Sequence, residues 1–410
     1  MYETLYSLYR KNEAFYKEQY SARINCQFSR RLPLKIREYN RRTENELFFC
    51  YTEEIFCLQD KIAIDMIKFL KLLQHIPGVG IDQYLNACLV EEIKSSNDIE
   101  GVNSTRREIR TVLKTDTEQR QNLRLGSIVN KYLKIVRNEE IALNTPSDIR
   151  TLYDDFIADE IKRVDVRDLP DGKIFRKNIV EVLSPGQKTI HQGLYPEKKL
   201  IAYMEQSLKL LHDNELPMLI RVAIFHYLFG YMHPFYDGNG RMSRFITAYY
   251  LSKYLDPVVG LRISIIIKAR KNEYYELFKI TNSEINRGDL TPFIINTLKL
   301  ISASIEHSQK TLQNKLNQYL NHREKLRELC SSLDVTSKAV YDVLLQATIF
   351  SDVGITLSEL QNVLRKSENT IVTRLRQIPE QIIARDSTTR PYHYKLNLSA
   401  FQDLLTGVTT

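Results

Sequence analysis

One stretch, His233-Pro234-Phe235-Tyr236-Asp237-Gly238-Asn239-Gly240-Arg241-Met242-Ser243-Arg244, gathers a base, a carboxylate, a glycine-bounded turn and two guanidinium groups. Gly238 and Gly240 free the backbone to turn tightly and approach a ligand closely. A helix starting there would aim unpartnered N–H groups and its positive dipole end at an anion. Asn239 adds an amide that can donate to a phosphate oxygen. Arg241 and Arg244 share a helix face, and their planar forks suit phosphate. Asp237 supplies a hard oxygen ligand of the kind magnesium takes alongside substrate phosphates. His233 titrates near neutrality and can take a proton from an attacking hydroxyl. The set suits the handling of a nucleotide's phosphates beside a nucleophile that must lose a proton. Singly, each residue has a bland reading: a core histidine, a surface turn, a solvated arginine face. Together, eight fixed positions arise by chance about once in 10¹⁰ starts.

The elements that must position these groups are legible on both sides. Residues 219–232 are nearly continuously apolar, interrupted by Arg221 and His226, and predict a buried helix. Residues 241–255 predict a second helix, closed by Asp256-Pro257. The chemistry therefore sits in a helix–loop–helix.

The stretch resembles the signature of the Fic family, HxFx(D/E)GNGRxxR, at every defined position. That resemblance implies a mainly α fold: a helical core with a small β-hairpin flap; the C-terminal pattern, by itself, resembles a winged helix-turn-helix module. It implies transfer of AMP from ATP to a Ser, Thr or Tyr hydroxyl of a target protein. His233 would be the base and Asp237 the Mg2+ ligand. Gly238, Asn239 and Gly240 would cradle the phosphates, Arg241 and Arg244 would hold the distal ones, and Phe235 would anchor the loop. Upstream, Ser96-Asn97-Asp98-Ile99-Glu100-Gly101 is similar to the inhibitory motif (S/T)xxxE(G/N) of autoinhibited relatives. Residues 90–99 can form a helix, with Gly101 as its stop. By resemblance, Ser96, Glu100 and Gly101 would form the inhibitory site, with Glu100 paired to Arg244 and occupying donors that a γ-phosphate needs.

Three further regions carry expectations. Residues 174–176 and 180–183 have β character, Ser184 to Gln187 read as a turn, and a return strand follows. This is the expected flap; Lys188, Thr189, Ile190 and His191 would hold a target segment by strand addition. Tyr274, Tyr275 and Asn282 lie on a helical stretch that forms the adenine pocket in similar proteins, although tyrosines at this spacing also pack in cores. Residues 291–329 read as helix. From residue 336 the pattern is helix, helix, helix, hairpin, with Ser367 capping the third helix. Arg374, Arg376, Arg385 and Arg390 would form a basic footprint for DNA, and protein docking or oligomer support is the competing use. The linear division expected is residues 1–110 (a helical region with the inhibitory helix), 111–300 (the Fic core), 301–335 (a connector) and 336–410 (the winged helix).

Bulk properties set outer bounds. A chain of 410 residues with 43% hydrophobic and 26% charged residues is ordinary for a globular protein of two or three domains. The net charge of +8 fits anionic ligands without specifying nucleic acid. The residues after Met1 mix charges and lack the n- and h-regions of a secretion signal, and no apolar run is long enough to span a bilayer. The five cysteines form no CxxC pair, which argues for reduced thiols and a cytoplasmic setting without membrane partners. The partners expected are ATP, a hydroxyl-bearing target and, in addition, DNA or a second copy of the chain. The function expected is adenylyl transfer; a nucleotide-sensing DNA-binding or docking regulator, or removal of AMP by the same residues, are the alternatives.

Overall fold

The computed structural model describes residues 2–183, 186–386 and 391–400. It opens with α1 (Leu5–Lys11) and α2 (Glu13–Ile24), between which Asn12 caps α2 by accepting from the Phe15 N–H. An antiparallel pair follows, β1 (Ser29–Ile36) and β2 (Asn45–Cys50), in a region expected to be helical throughout. Its signal in the sequence is the alternation of buried Leu32, Leu34 and Ile36. Pro33, between two of these, disguises the strand, and the register shifts between Arg31 and Lys35.

Next come α3 (Glu53–Leu73), α4 (Gly78–Ile99), α5 (Arg106–Lys114), α6 (Thr117–Arg120), α7 (Gly126–Val136), α8 (Pro146–Phe156) and α9 (Ala158–Val164). Gly101 stops α4 with φ of 73°. Helix α8 starts on a capping box, Thr145 with Asp148, and has Pro146 in its first turn. The flap is β3 (Glu181–Leu183) paired antiparallel with β4 (Thr189–Gln192); Ser184 and Pro185 of the expected turn lie outside the described residues. Residues 174–176, expected to have β character, form no strand. The N–H groups of Lys173, Ile174 and Phe175 all donate to the Glu197 carboxylate (3.1, 2.8 and 2.9 Å), which removes them from any ladder.

Then follow α10 (Glu197–Leu211), α11 (Met218–Met232), α12 (Asn239–Tyr254), α13 (Pro257–Gly260), α14 (Ile263–Ala269), α15 (Lys271–Asn282) and α16 (Thr291–Leu329). The last elements are α17 (Val335–Phe350), β5 (Ile355–Thr356), α18 (Leu357–Leu364), α19 (Glu368–Arg376), β6 (Ile383–Asp386) and β7 (His393–Leu396).

By packing, the chain divides into Met1–Met66 with Leu89–Ile305, and Ile67–Cys88 with Glu306–Thr410. This differs from the linear division expected, because residues 67–88 group with the C-terminal part. In the first unit α11 is buried on all sides, as a helix apolar all round must be, and α12 is buried almost as completely. Phe245 of α12 packs edge-on against Tyr132 of α7 (5.0 Å) and tilted against Phe156 of α8 (4.5 Å). Tyr227 of α11 meets Phe278 of α15 and Phe293 of α16.

In the second unit Asp334 caps α17, Thr356 and Glu359 form a capping box on α18, and Ser367 caps α19. The strands form one antiparallel sheet in the order β5-β7-β6. Of the expected basic footprint, Arg374 is turned to Gln377 (3.0 Å) and Asp334 (3.4 Å), and Arg385 stacks on Tyr392 at 3.9 Å. Arg376 is exposed, and Arg390 lies outside the described residues, as do residues 401–410 of the expected module.

The loop between α11 and α12 is pinned from below by Phe235, which is fully buried, stacks on Tyr153 at 3.8 Å and meets Phe175 edge-on at 5.6 Å. Phe235→Ala removes this anchor and should destabilise the first unit by about 3–5 kcal/mol. Urea unfolding checks this; a loss below about 1 kcal/mol would show that the loop is held by other contacts.

Candidate functional site

The loop is built by two left-handed residues and one amide. His233 ends α11 at φ 49° and ψ 63°, and Gly238 precedes α12 at φ 85°. Asn239 closes the loop internally: its Oδ1 accepts from the Phe235 N–H (3.0 Å) and its Nδ2 donates to the Phe235 carbonyl (2.8 Å). The amide expected to reach a phosphate is thus committed to the loop. What Asn239 offers a ligand is its backbone N–H in the first turn of α12, with those of Gly240 and Arg241. A Cβ on Gly238 would meet Ile161 at 3.1 Å, so the loop rests closely on α9.

The two motif arginines take different partners. Arg241, 3% exposed, donates to Glu160 on α9 (3.0 Å) and to Asp237 (3.2 Å), and its Nε has no partner among the described residues. Arg244, 1% exposed, is held by α4 and the turn that ends it: Nε donates to the Ser96 hydroxyl (3.1 Å), Nη2 to the Ser96 carbonyl (3.0 Å) and Nη1 to Glu100, just after the helix (2.7 Å). The Glu100 carboxylate also lies over the start of α12. A Cβ on Gly240 would fall 1.9 Å from Glu100 Oε1, so only glycine admits it. Burial pushes the Glu100 carboxyl up, but the charge and hydrogen bond of Arg244, with Arg241 and His233, hold it below the usual range. The end of α4 is tied further by Lys268 to Asp98 (2.6 Å) and by Lys271 to the Ile99 carbonyl (2.6 Å).

His233 is neutral at physiological pH. Burial, then the nearby His191 and Arg176, lower its pKa to about 4, against opposing effects from the Gly230 carbonyl and Glu100. A neutral imidazole keeps one nitrogen able to accept a proton. Asp237 is 54% exposed at its side chain; one oxygen accepts from the Gly238 N–H (2.5 Å) and the other from Arg241. A single solvent-facing carboxylate is the donor set magnesium uses when phosphates and water complete its shell, so Asp237 fits that ion. Among the described residues no group of three or more acidic, His or Cys side chains forms a ready-made metal cage.

The flap and the expected adenine contacts come together only in part. Lys188, just before β4, and Ile190 on it are exposed and Thr189 is half-buried, whereas His191 is buried and its Nε2 donates to the Tyr231 carbonyl (2.7 Å). His191 therefore anchors the strand and does not present itself to a target. On α15, Tyr275 is 40% exposed, with Lys271 over its ring. Tyr274 and Asn282 face inward with Phe278, on one helical face: the Tyr274 hydroxyl bonds His226 (2.7 Å), and Asn282 Oδ1 accepts from Tyr227 (2.7 Å). Their polar groups belong to the core.

Residues not singled out from sequence complete the site. Glu160 neutralises Arg241, Arg176 is buried against the loop, and Glu92 sits on α4 two turns before Glu100. Burial raises the Glu92 pKa to about 7, and the carboxyl accepts from the N–H (2.9 Å) and hydroxyl of Ser264. Helical spacing places Glu92, Ser96 and Glu100 on one face; that periodicity was the available signal.

The lowered carboxyl of Glu100 sets a pH dependence. A depressed folded-state pKa contributes stability above the ordinary value of 4.5, and that contribution is lost as pH falls through the folded value. Unfolding midpoints of wild type and Glu100→Gln should therefore differ by a constant amount at neutral pH, and the difference should shrink as pH falls below the ordinary value of 4.5. A difference independent of pH would mean that the ion pair contributes nothing.

Residues 143–251 match the Fic/DOC family. A 127-residue segment is 32% identical to "Protein adenylyltransferase Fic" of Drosophila yakuba, covering 30% of this chain and 22% of that protein. The Drosophila melanogaster protein of the same name is also 32% identical over 127 residues, 30% of this chain and 23% of its own length. The matched part thus spans less than a quarter of the curated relatives. A Fic family protein of Desulfovibrio desulfuricans G20 shares the fold at a TM-score of 0.51 and 18% identity, covering 84% of this chain and 96% of that one. Loop, cradle and paired helices lie inside or beside the matched segment, and the chain carries a domain of the Fic/DOC family.

Proposed function

We propose that this protein transfers AMP from ATP to a hydroxyl of a target protein and that Glu100 holds the reaction in check. The observation that carries this reading is the seat of the Glu100 carboxylate, bonded to Arg244 at 2.7 Å and lying against Gly240 at the start of α12. A site that draws in a carboxylate this closely is built for a phosphate anion. The name carried by the Drosophila relatives supports adenylyl transfer.

The chain's groups divide the work. The first N–H groups of α12 and the released Nη1 of Arg244 take phosphate oxygens. Asp237 holds Mg2+, which neutralises phosphate charge when bound. Tyr275 offers a ring face to the base. Exposed Lys188 and Ile190, at the start of β4, support strand addition by a target segment, which brings its hydroxyl to His233. The neutral imidazole accepts the hydroxyl proton as the oxygen attacks the α-phosphorus. The bond from that phosphorus to the oxygen bridging to the β-phosphorus breaks, and pyrophosphate leaves. Positioning and charge stabilisation supply most of the acceleration in such transfers.

Arg244 explains why one carboxylate suffices for inhibition. Ser96 keeps two of its nitrogens in place, so losing Glu100 frees Nη1 without releasing the guanidinium. In the C-terminal unit, the engagement of Arg374 by Asp334 and Gln377 favours a docking role for the winged-helix pattern over phosphate contact.

Two substitutions test the reading. His233→Ala should lower AMP transfer by about 10²–10⁴-fold while ATP binding persists, since the phosphates are held by other groups. Transfer of label from α-phosphate-labelled ATP, beside a nucleotide-binding titration, measures both; wild-type transfer by His233→Ala would rule out the assigned base. Glu100→Gly should raise labelling roughly 5- to 150-fold, the range of an ordinary coupling between two states. Equal rates for both proteins at saturating ATP and magnesium would reduce residues 96–101 to a helix end.

A further inference from the structure

The end of α11 is unusual in what satisfies its carbonyls. A helix leaves its last carbonyls without intrahelical donors, and a left-handed glycine commonly ends it. Here the left-handed residue is His233, whose Cβ makes φ 49° sterically unfavourable. The flap segment supplies the missing donors. The Tyr231 carbonyl accepts from His191 (2.7 Å), and the Met232 carbonyl accepts from the Leu194 N–H (3.0 Å). Arg176 then reaches the Met232 carbonyl (3.4 Å) and, through Nε, the His233 carbonyl (2.9 Å). Its other bonds go to the carbonyls of Leu194 (2.9 Å) and Asn178 (2.5 Å). The side chain is 1% exposed, and among the described residues this buried cation hydrogen-bonds to backbone carbonyls alone. Gly193 makes room: a Cβ there would stand 2.4 Å from Arg176 Nη2 and 3.0 Å from His233 Cβ.

We propose that Arg176 is the positioning residue for His233, clamping the base's left-handed backbone to the flap so that the imidazole is aimed while the flap is docked. The inference rests on the reading of His233 as the proton acceptor. Arg176 touches no reacting atom and acts through His233. The fork geometry matters, because a lysine retains the charge but cannot bridge carbonyls on four residues at once. The charge matters separately. The titratable and charged groups facing His233 are His191 from β4, Glu100 from the turn after α4, and Arg176; Arg176 and His191 disfavour the imidazolium, and Glu100 favours it. A merely structural arginine would change the amount of folded protein and leave the proton affinity of His233 alone.

The test uses the full chain carrying Glu100→Gly, with Arg176→Lys, Arg176→Met or Gly193→Ala added. Transfer is measured from pH 3.5 to 8, and the His233 imidazole is titrated by NMR with labelled histidine. Arg176→Lys should lower kcat roughly 10- to 100-fold, the cost of misplacing a catalytic group by about an ångström, with KM for ATP unchanged. Arg176→Met should show the same loss and move the His233 titration, with the acid limb of the rate profile, to higher pH. Gly193→Ala keeps the guanidinium but crowds it, and should lower kcat without moving KM; it carries the test if the Arg176 variants do not fold. Wild-type kcat in Arg176→Lys or in Gly193→Ala overturns the clamp, as does a loss confined to KM. If the Glu100→Gly protein itself transfers no AMP, the proposed reaction fails. The NMR titration then decides the clamp alone: an upward shift in Arg176→Met supports it, and an unshifted His233 overturns it.

Discussion

Buried positive charge is the constraint around which this site is organised. Arg176, Arg241 and Arg244 are each no more than 3% exposed, and all serve one loop. A guanidinium taken out of water must be matched by acceptors, because an uncompensated buried charge is strongly destabilising. The three solve this differently. Arg241 takes carboxylates from α9 and from the loop, Arg176 takes only carbonyls, and Arg244 takes a serine from α4 and a carboxylate from the turn that follows it. Compensation of Arg244 by an element that can be replaced is what makes the site regulable on the proposed reading.

That reading turns inhibition into competition between two anions for one place. The Glu100 carboxylate and a nucleotide phosphate want the same donors: a guanidinium nitrogen and the N–H groups opening α12. Gly240 makes the competition possible, since any side chain there would occupy the carboxylate's position. The end of α4 is further held by Lys268 and Lys271, from α14 and the first turn of α15, the helix that also presents Tyr275. On that reading, displacement of Glu100 and reshaping of the nucleotide's surroundings draw on shared contacts. Burying an ion pair is weak evidence for stability but a sound basis for a switch, because its energy depends steeply on what replaces either partner.

The flap has a comparable double dependence. Its N-terminal lead cannot form a strand because three successive N–H groups are drawn to Glu197. The same segment delivers Arg176 to the end of α11, where the helix lacks donors. Local loss of β structure and the capping of the loop are thus two sides of one arrangement. His191, on the strand itself, is spent on a carbonyl of α11, so on the proposed reading the surface left to a target is the exposed part of β4 around Ile190.

The sequence by itself placed the residues that could do chemistry, and the helices that carry them. The apolar run before His233 specifies a helix buried all round, the glycines specify the turn, and Ser96 and Glu100 at helical spacing specify one face of α4. These are local properties, read from period and residue type within a turn or two. Tertiary structure alone decided which donors remain available. Asn239, Tyr274 and Asn282 carry the right groups, but the fold commits their side chains to Phe235, His226 and Tyr227. Arg176 and Glu160 announce nothing in sequence, because their roles depend on partners 57 and 81 residues away. The β1–β2 pair was hidden by Pro33 in one strand and by a partner strand whose pairing no local rule states. Spacing can place a polar group on a face; only the packed chain settles whether that group has already met its partner, since satisfaction of a buried hydrogen bond is a property of two segments and not of one.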